Sequence, residues 1–347
     1  MMEKYTTNIS NPKISIAPMV DKTHRHFRYF ARLLDKDMLL YTEMITAQSL
    51  IHGDVEKILN FREEEGKVAL QIAASNPEDA YKAVKIAENY NYSEINLNCG
   101  CPSDRVSGNL MGASLMSSKE LVYEILAAMK EATNKPVTIK HRIGIDGTGI
   151  ITDPNSKVIM EGYDDLLEFL DTVSKARPDR YVVHARTAIL KGLSPKENRE
   201  VPKLDYDMVY RLKEDFNYLN IEINGGFRTL ESIEDALTKV DSVMLGRVAY
   251  EDTYLLANLF KLNKELKNNK PMSRGEIIKA YIPYLEEELA KGSNVHTLMF
   301  PLQTLFHGQR GSGKYKQHLS SSAIKKENAL ELVNQIFEII PEEVLWD

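Results

Sequence analysis

Short apolar runs alternate with helical patterns from the start of the chain to about residue 262. The runs read as strands: ISIAPM (14–19), MLLYTEM (38–44), VALQIA (68–73), EINLNCG (94–100), PVTIKHR (136–142), RYVVHAR (180–186), NIEINGG (220–226) and SVMLGR (242–247). Helical spacing fills most of the gaps. In SSKELVYEILAAMKEAT (117–133), Ser118 is the predicted N-cap, and Leu121, Ile125, Leu126 and Met129 share one face. Eight such runs interleaved with helices predict an α/β fold with a parallel sheet, and eight strands close a (β/α)8 TIM barrel. An open doubly wound sheet would normally carry G-x-G-x-x-G after its first strand, and that motif is absent from the sequence.

Beyond the polar, turn-rich stretch 264–276 no β-run returns, and 276–291, 294–307 and 322–339 read as helices. The expected organisation is a catalytic barrel over 1–265 followed by a small all-helical domain over 266–347.

Composition changes this picture little. The 347 residues carry a formal charge of −6 and have an ordinary globular balance of apolar and charged residues. No run approaches the length of a membrane span, and the first residues lack an apolar segment, so a soluble cytoplasmic protein with no membrane partner is expected. Its oligomeric state is open, with a monomer favoured. Charge distribution says more. Between Glu288 and Glu327 lie 38 residues without one Asp or Glu, yet with Lys291, Arg310, Lys314, Lys316, Lys325 and Lys326, besides His296, His307 and His318. Such segregation is the footprint of an anionic partner such as nucleic acid.

Cys99 and Cys101 are the only cysteines. One intervening residue disfavours a disulfide, and no further Cys or His cluster supplies a zinc ligand set, so no metal is expected. The thiols are therefore reduced, serving either as core or as chemistry.

A barrel of this kind builds its site at the C-terminal ends of its strands. There the sequence places Ala17, Pro18 and Met19 on the first strand, Gln71 on the third, and Asn98 and Cys101 on the fourth. Lys140 and Arg142 follow on the fifth, His184 on the sixth, Asn224, Gly225 and Gly226 on the seventh, and Gly246 and Arg247 on the eighth. Glycines just past the last two strands suit the phosphate site of this fold. Buried Gln, Lys and His need partners, and a flavin with its ribityl phosphate would supply them. GQRGSGKY (308–315) comes near a phosphate-binding P-loop, but it lacks the Ser/Thr after Lys314 and a preceding strand, and reads as a flexible basic turn.

Taken together, SIAPMVDKTHRHFRYFARLL, LLYTEMIT, EINLNCGCPSDRV, IKHRIGID, VVHART, GLSPKENRE, INGGF and MLGRVAYE resemble the tRNA-dihydrouridine synthases, with wording closest to the bacterial DusA subfamily. The resemblance runs from about residue 13 to 250 and more loosely through the tail. It implies an FMN-bound TIM barrel with a helical tRNA-binding domain, which uses NADPH as a transient reductant. The reaction it implies is reduction of the C5=C6 bond of a D-loop uridine in tRNA, at position 20, 20a or both. Cys101 then matches the acid that protonates C5. The strand-end residues Ala17 to Met19, Gln71, Lys140, His184, Asn224 to Gly226, Gly246 and Arg247 match the FMN contacts. Asn98 and Arg199 match contacts to the target uridine and its tRNA. Asn98, with Lys140 or Arg142 nearby, could stabilise the negative charge that develops on the base. Arg142 and Asn198 are expected on the substrate side, with Lys314 and Lys316 left to hold phosphate. Cys99 matches no motif cysteine and is expected to be a small core residue. The sequence departs from the pattern at 147–162, a longer link than usual. It departs also at Thr187 and Ile189, where Lys and Trp are expected, and at Gly313 and Gln317, where arginines are expected. Two rivals remain. One is a flavin barrel reducing a free small molecule in the manner of dihydroorotate dehydrogenase. The other is a tRNA-binding chaperone that has lost catalysis.

Overall fold

The computed structural model describes residues 12–103, 110–262, 270–320 and 322–347. The 104–106 end of the cysteine motif and the expected domain boundary at 265 lie outside these.

Eight barrel strands form as the alternation predicts: β1 (Ile14–Ile16), β2 (Leu40–Tyr41), β3 (Val68–Ala73), β4 (Glu94–Cys99), β5 (Val137–Asp146), β6 (Tyr181–Ile189), β7 (Ile221–Asn224) and β8 (Ser242–Leu245). All neighbours along this path are parallel, and β8 pairs with β1 through Ile14↔Val243 to Ile16↔Leu245. The last gap closes between β1 and β2, where Ile16 N–H donates to Leu39 O at 2.9 Å and Leu39 N–H to Ile14 O at 3.1 Å.

Alternation then sorts side chains by parity. On β4, Ile95, Leu97 and Cys99 face outward into the large core between strands and helices, whereas Glu94, Asn96 and Asn98 face the barrel interior. The apolar filling inside the barrel is a small separate cluster of Ala17, Leu39, Tyr41, Ala69, Val182 and Met244. Barrels of this type are usually filled with branched apolar residues. Here buried Ser15, Gln71, Glu94, Asn96, Thr138, Arg180, Glu222 and Asn224 occupy much of that space instead.

The structure departs from the expected boundaries in several places. Only Leu40–Tyr41 of the 38–44 run joins the barrel ladder at that level, and Ile45–Thr46 pairs further along β3. β5 and β6 run on past their expected ends and pair again through Gly144↔Thr187 to Asp146↔Ile189 after a bulge. The long 147–162 link returns as an antiparallel strand, Ile159–Met160, against Ile145 and Asp146. Gly144 permits that approach, since a Cβ there would sit 2.3 Å from Met160 O. Ser118 takes the N-cap position of Lys119–Ala132, but its side chain accepts no capping bond.

In the tail, Ser273 and Glu276 form a reciprocal capping box that starts Arg274–Ala290. The expected 294–307 helix splits into Val295–Met299 and a tighter turn Phe300–Thr304, because Pro301 has no N–H to continue the ladder. The expected 322–339 helix is regular only over Ala329–Ile339. The basic turn at 308–315 is helical from Ser312 to His318, contrary to the flexible turn expected there. The tail is joined to the barrel through helix Arg25–Leu34: Tyr29 stacks on Tyr284 at 3.7 Å, and Phe30 meets Tyr281 edge-on at 5.2 Å. Beside them a fully buried Glu288 carboxylate pairs with Arg25, Arg62 and Lys291 and accepts from Ser293 Oγ at 2.7 Å. Lys291, one cation of the acid-free stretch, is thus used inside the protein. Among the described residues, no helix is long and apolar enough to cross a membrane.

Candidate active site

The strand ends bring most of the expected residues to one mouth. Lys140 Nζ donates to Asn224 Oδ1 at 3.0 Å, and Asn224 Nδ2 donates to Met244 O at 2.9 Å, which ties β5, β7 and β8 together. The register His184↔Asn224 and Arg142↔His184 sets the histidine level with Asn224 and Arg142, one inward-facing position beyond Lys140. Ala17 N–H donates to Leu245 O at 2.8 Å, and Met19 N–H to Thr23 Oγ1 at 3.0 Å, so the turn after β1 is fixed against β8.

The charge balance of this mouth is cationic. Burial, aided by Arg142, pushes the Lys140 ammonium down to about 7, and Glu222 and Cys101 pull weakly the other way. Burial also holds His184 well below its usual range, and Arg142, Lys140, Arg186 and Arg199 add to the effect, so the imidazole is neutral near pH 7. Arg142 is lowered to about 10, again chiefly by burial. Cations held this close while partly stripped of water favour an anionic guest.

The glycines show where such a guest fits. Gly225 and Gly226 have φ of 131° and 75°, and a Cβ on Gly226 would lie 2.6 Å from Leu204, so these residues shape the turn itself. A Cβ on Gly246 would meet nothing within 4 Å. That glycine therefore lines open space beside Arg247, where backbone groups can approach a phosphate closely. A flavin mononucleotide fits this arrangement. Ala17 to Met19, Gln71, Lys140, His184 and Asn224 would surround its ring and ribityl chain, and Gly225, Gly226, Gly246 and Arg247 its phosphate. Gly246→Val should accordingly leave the melting temperature of the FMN-free protein unchanged and weaken retention of an FMN phosphate placed there about 10- to 100-fold, the equivalent of overfilling a packed space. Thermal melts and flavin absorbance of the purified variant measure both.

The two thiols separate cleanly. Cys99 ends β4 with its side chain fully buried in the outer core, and burial raises its thiol far above the usual range. Cys101 lies past the strand end, half-buried, with its backbone held on both sides. Its N–H donates to Asn98 Oδ1 at 3.1 Å, and its carbonyl accepts from Ala113 N–H at 2.9 Å. Burial raises the Cys101 thiol, and Arg142, Lys140 and Arg199 oppose that only in part. A thiol so placed stays protonated at neutral pH.

Other expected contacts have different surroundings. Arg142 is buried and donates to the carbonyls of Gly100 (2.9 Å), Asn198 (3.0 Å) and Thr187 (3.1 Å), which makes it a brace between the loop after β4, the end of β6 and the segment that carries Asn198. The Asn198 amide is also buried and bonds both ways with Ile189, at 2.8 and 2.9 Å. Arg199 is exposed on the same loop, and Arg247 Nη1 lies 2.6 Å from Glu200 at the mouth. Lys314 and Lys316 flank buried Tyr315 on the short tail helix. Lys316 also lines a cavity of about 660 Å³ with Lys22, Arg228, Tyr250, Phe300 and His307. Among the described residues, no group of three or more His, Cys, Asp or Glu is arranged to hold a metal.

Sequence reasoning missed the polar floor of the barrel. Arg180 Nη2 lies 2.6 Å from both oxygens of Glu94, and Tyr41 donates to the same carboxylate at 2.9 Å. Arg180 Nε sits 3.0 Å from Glu222 Oε2 in an ion contact without hydrogen-bond alignment, and Ser15 donates to the other Glu222 oxygen. The i, i+2 spacing of Glu94, Asn96 and Asn98 was the available signal.

A closed (β/α)8 barrel with an anion-accepting mouth and a protonated thiol at its rim belongs to the class of barrel enzymes that act beside a phosphorylated cofactor. The family model "Dihydrouridine synthase (Dus)" matches residues 15–340. A "tRNA-dihydrouridine(20/20a) synthase" of Synechocystis sp. is 44% identical over 334 residues, covering 96% of each chain. One of Vibrio parahaemolyticus is likewise 44% identical, covering 96% of this chain and 98% of its own. The chain belongs to the dihydrouridine synthase family.

Proposed function

We propose that this protein is an FMN-dependent tRNA-dihydrouridine synthase of the cytoplasm that reduces a D-loop uridine at position 20, 20a or both, with NADPH as the reductant. The relatives' names support the positions. The observation that carries the chemistry is the Cys101 thiol, kept protonated by burial and fixed at the rim of the cationic mouth.

FMN, when bound, supplies the hydride for C6 of the uracil. The protein supplies the rest. Cys101 holds the proton destined for C5, as general acid. Asn98 spends one amide hydrogen on Gln71 Oε1 at 2.7 Å and keeps the second for a carbonyl of the base. Lys140, with three donors and one bound to Asn224, can balance the charge that grows on the C4 oxygen. Arg142 acts on this step by holding the Gly100 carbonyl, and so the loop that carries Cys101. The target base must leave the tRNA fold to reach the mouth, and cations outside the site then hold the flanking phosphates. Lys316, Lys22 and Arg228 line such a groove, where Glu251 pairs with Arg228 at 2.7 Å, and Lys314 precedes Lys316 by two residues on the same short helix.

Anaerobic mixing of the pre-reduced protein with an unmodified tRNA transcript tests this reading against a small-molecule oxidoreductase. Flavin absorbance should recover with tRNA and not with free uridine or orotate. Recovery with orotate alone would overturn it. Binding of tRNA should weaken steeply with salt, and the paired changes Lys314→Gln and Lys316→Gln should lower the log–log slope by about 2. An unchanged slope in a filter-binding titration would remove these lysines from the interface.

A further inference from the structure

An unbroken chain of side-chain hydrogen bonds joins the barrel floor to the Cys101 loop. Thr138 Oγ1 donates to Glu94 Oε1 (3.1 Å), Asn96 Nδ2 to Thr138 Oγ1 (2.8 Å), Gln71 Nε2 to Asn96 Oδ1 (2.8 Å) and Asn98 Nδ2 to Gln71 Oε1 (2.7 Å). Asn98 Oδ1 then accepts the N–H groups of Gly100 (3.2 Å) and Cys101 (3.1 Å). The parallel register makes this possible by placing Gln71, Asn96 and Thr138 side by side on β3, β4 and β5. Every member except Cys101 and Gly100 is buried.

The direction of the whole chain follows from its lower end. A carboxylate only accepts, so Thr138 must give its single hydroxyl hydrogen to Glu94, which Arg180 holds from the other side. Thr138 can then only accept from Asn96, which turns the Asn96 carbonyl toward Gln71. Gln71 must in turn present its NH2 to Asn96 and its carbonyl to Asn98. Asn98 answers with its NH2 and is left with its carbonyl toward the Cys101 loop. Reversing any one amide would set donor against donor or acceptor against acceptor in a dry interior, where such mismatches are costly.

We infer that Glu94, Thr138 and Asn96 are positioning residues for catalysis: from the barrel floor they fix the amide orientation of Gln71 and Asn98, and through Asn98 the backbone of the acid-bearing loop. This rests on the proposed function for the meaning of that loop, but the chain itself can be tested apart from it.

Thr138→Val removes the hydroxyl while keeping the shape, and Thr138→Ser restores it. In the valine variant, hydrogen exchange at the Gly100 and Cys101 amides should accelerate at least about tenfold, with β7 and β8 as protected as in wild type. Single-turnover dihydrouridine formation should fall about 10- to 100-fold, the range expected of a small misplacement of a reacting group. Serine should recover both. Wild-type exchange or wild-type turnover in the valine variant overturns the inference, as does a serine variant as impaired as valine, or loosening that extends to β7 and β8. If wild type itself makes no dihydrouridine, the functional reading fails, and the exchange results alone decide the positioning chain.

Discussion

Cys101→Ala should slow dihydrouridine formation about 100- to 10,000-fold, the span that a positioned general acid contributes. FMN retention should stay at the wild-type level, because the cofactor contacts proposed for Lys140, His184, Asn224 and the glycines do not involve the thiol. Serine in its place should recover little, since a hydroxyl is a far weaker acid. The pH profile carries a second check. An ordinary thiol ionises near 8.5. Burial raises Cys101 above its usual value, and the neighbouring cations Arg142, Lys140 and Arg199 offset this only in part. The acid form is therefore the one present below and through the ordinary thiol range. Loss of the Lys140 proton near pH 7 acts on both proteins, so the ratio of the wild-type to the Cys101→Ala single-turnover rate should stay level to about pH 8.5 and decline only beyond it. A decline of that ratio centred near pH 7 would mean that the cations win over burial, and that a thiolate fills the site.

Arg180→Met should cost about 3–5 kcal/mol of stability at pH 7, the usual result of deleting one partner from a buried ion pair. Arg180 is fully buried, and it stands between Glu94 and Glu222, whose side chains are 4% and 0% exposed. Without it two carboxylates face each other in the barrel floor. Burial already raises the Glu222 carboxyl above its ordinary value in the intact protein, where Arg180 pulls it back. In the variant the folded state therefore holds its protons to higher pH than the unfolded chain does. Its stability is greatest in acid and is lost as pH rises through the folded value. The deficit measured by urea unfolding should shrink from pH 7 to pH 5, and Glu94→Gln with Glu222→Gln added should recover much of it. A deficit below about 1 kcal/mol that ignores pH would place the arginine outside the load of the fold.

The barrel was legible because its signals are local. Two-residue alternation marks each strand, and parity alone separates Cys99, which faces the helices, from Asn98, which faces the interior. The glycine turns after β7 and β8 were legible for the same reason. What could not be read was pairing across strands. Glu94, Thr138, Arg180 and Glu222 look unremarkable in their own runs, and their meaning appears only when the closed sheet brings their side chains together inside the barrel. Arg142 illustrates the converse. Its place beside Lys140 suggested a substrate contact, whereas its guanidinium donates to the carbonyls of Gly100, Thr187 and Asn198. Composition overstated the basic tail in a similar way. Lys291 is paired with Glu287 and Glu288, and Arg310 with Glu343, both from outside the acid-free stretch. Lys314 and Lys316 have no such ion pair among the described residues.

Dihydrouridine in the D-loop of tRNA is the defining product of the proposed activity. Unmodified tRNA transcripts incubated with the FMN-loaded protein and NADPH, then mapped position by position for dihydrouridine, should show reduction at 20, 20a or both and nowhere else. Transcripts left unreduced by a protein that oxidises NADPH, or reduced only outside the D-loop, would contradict it.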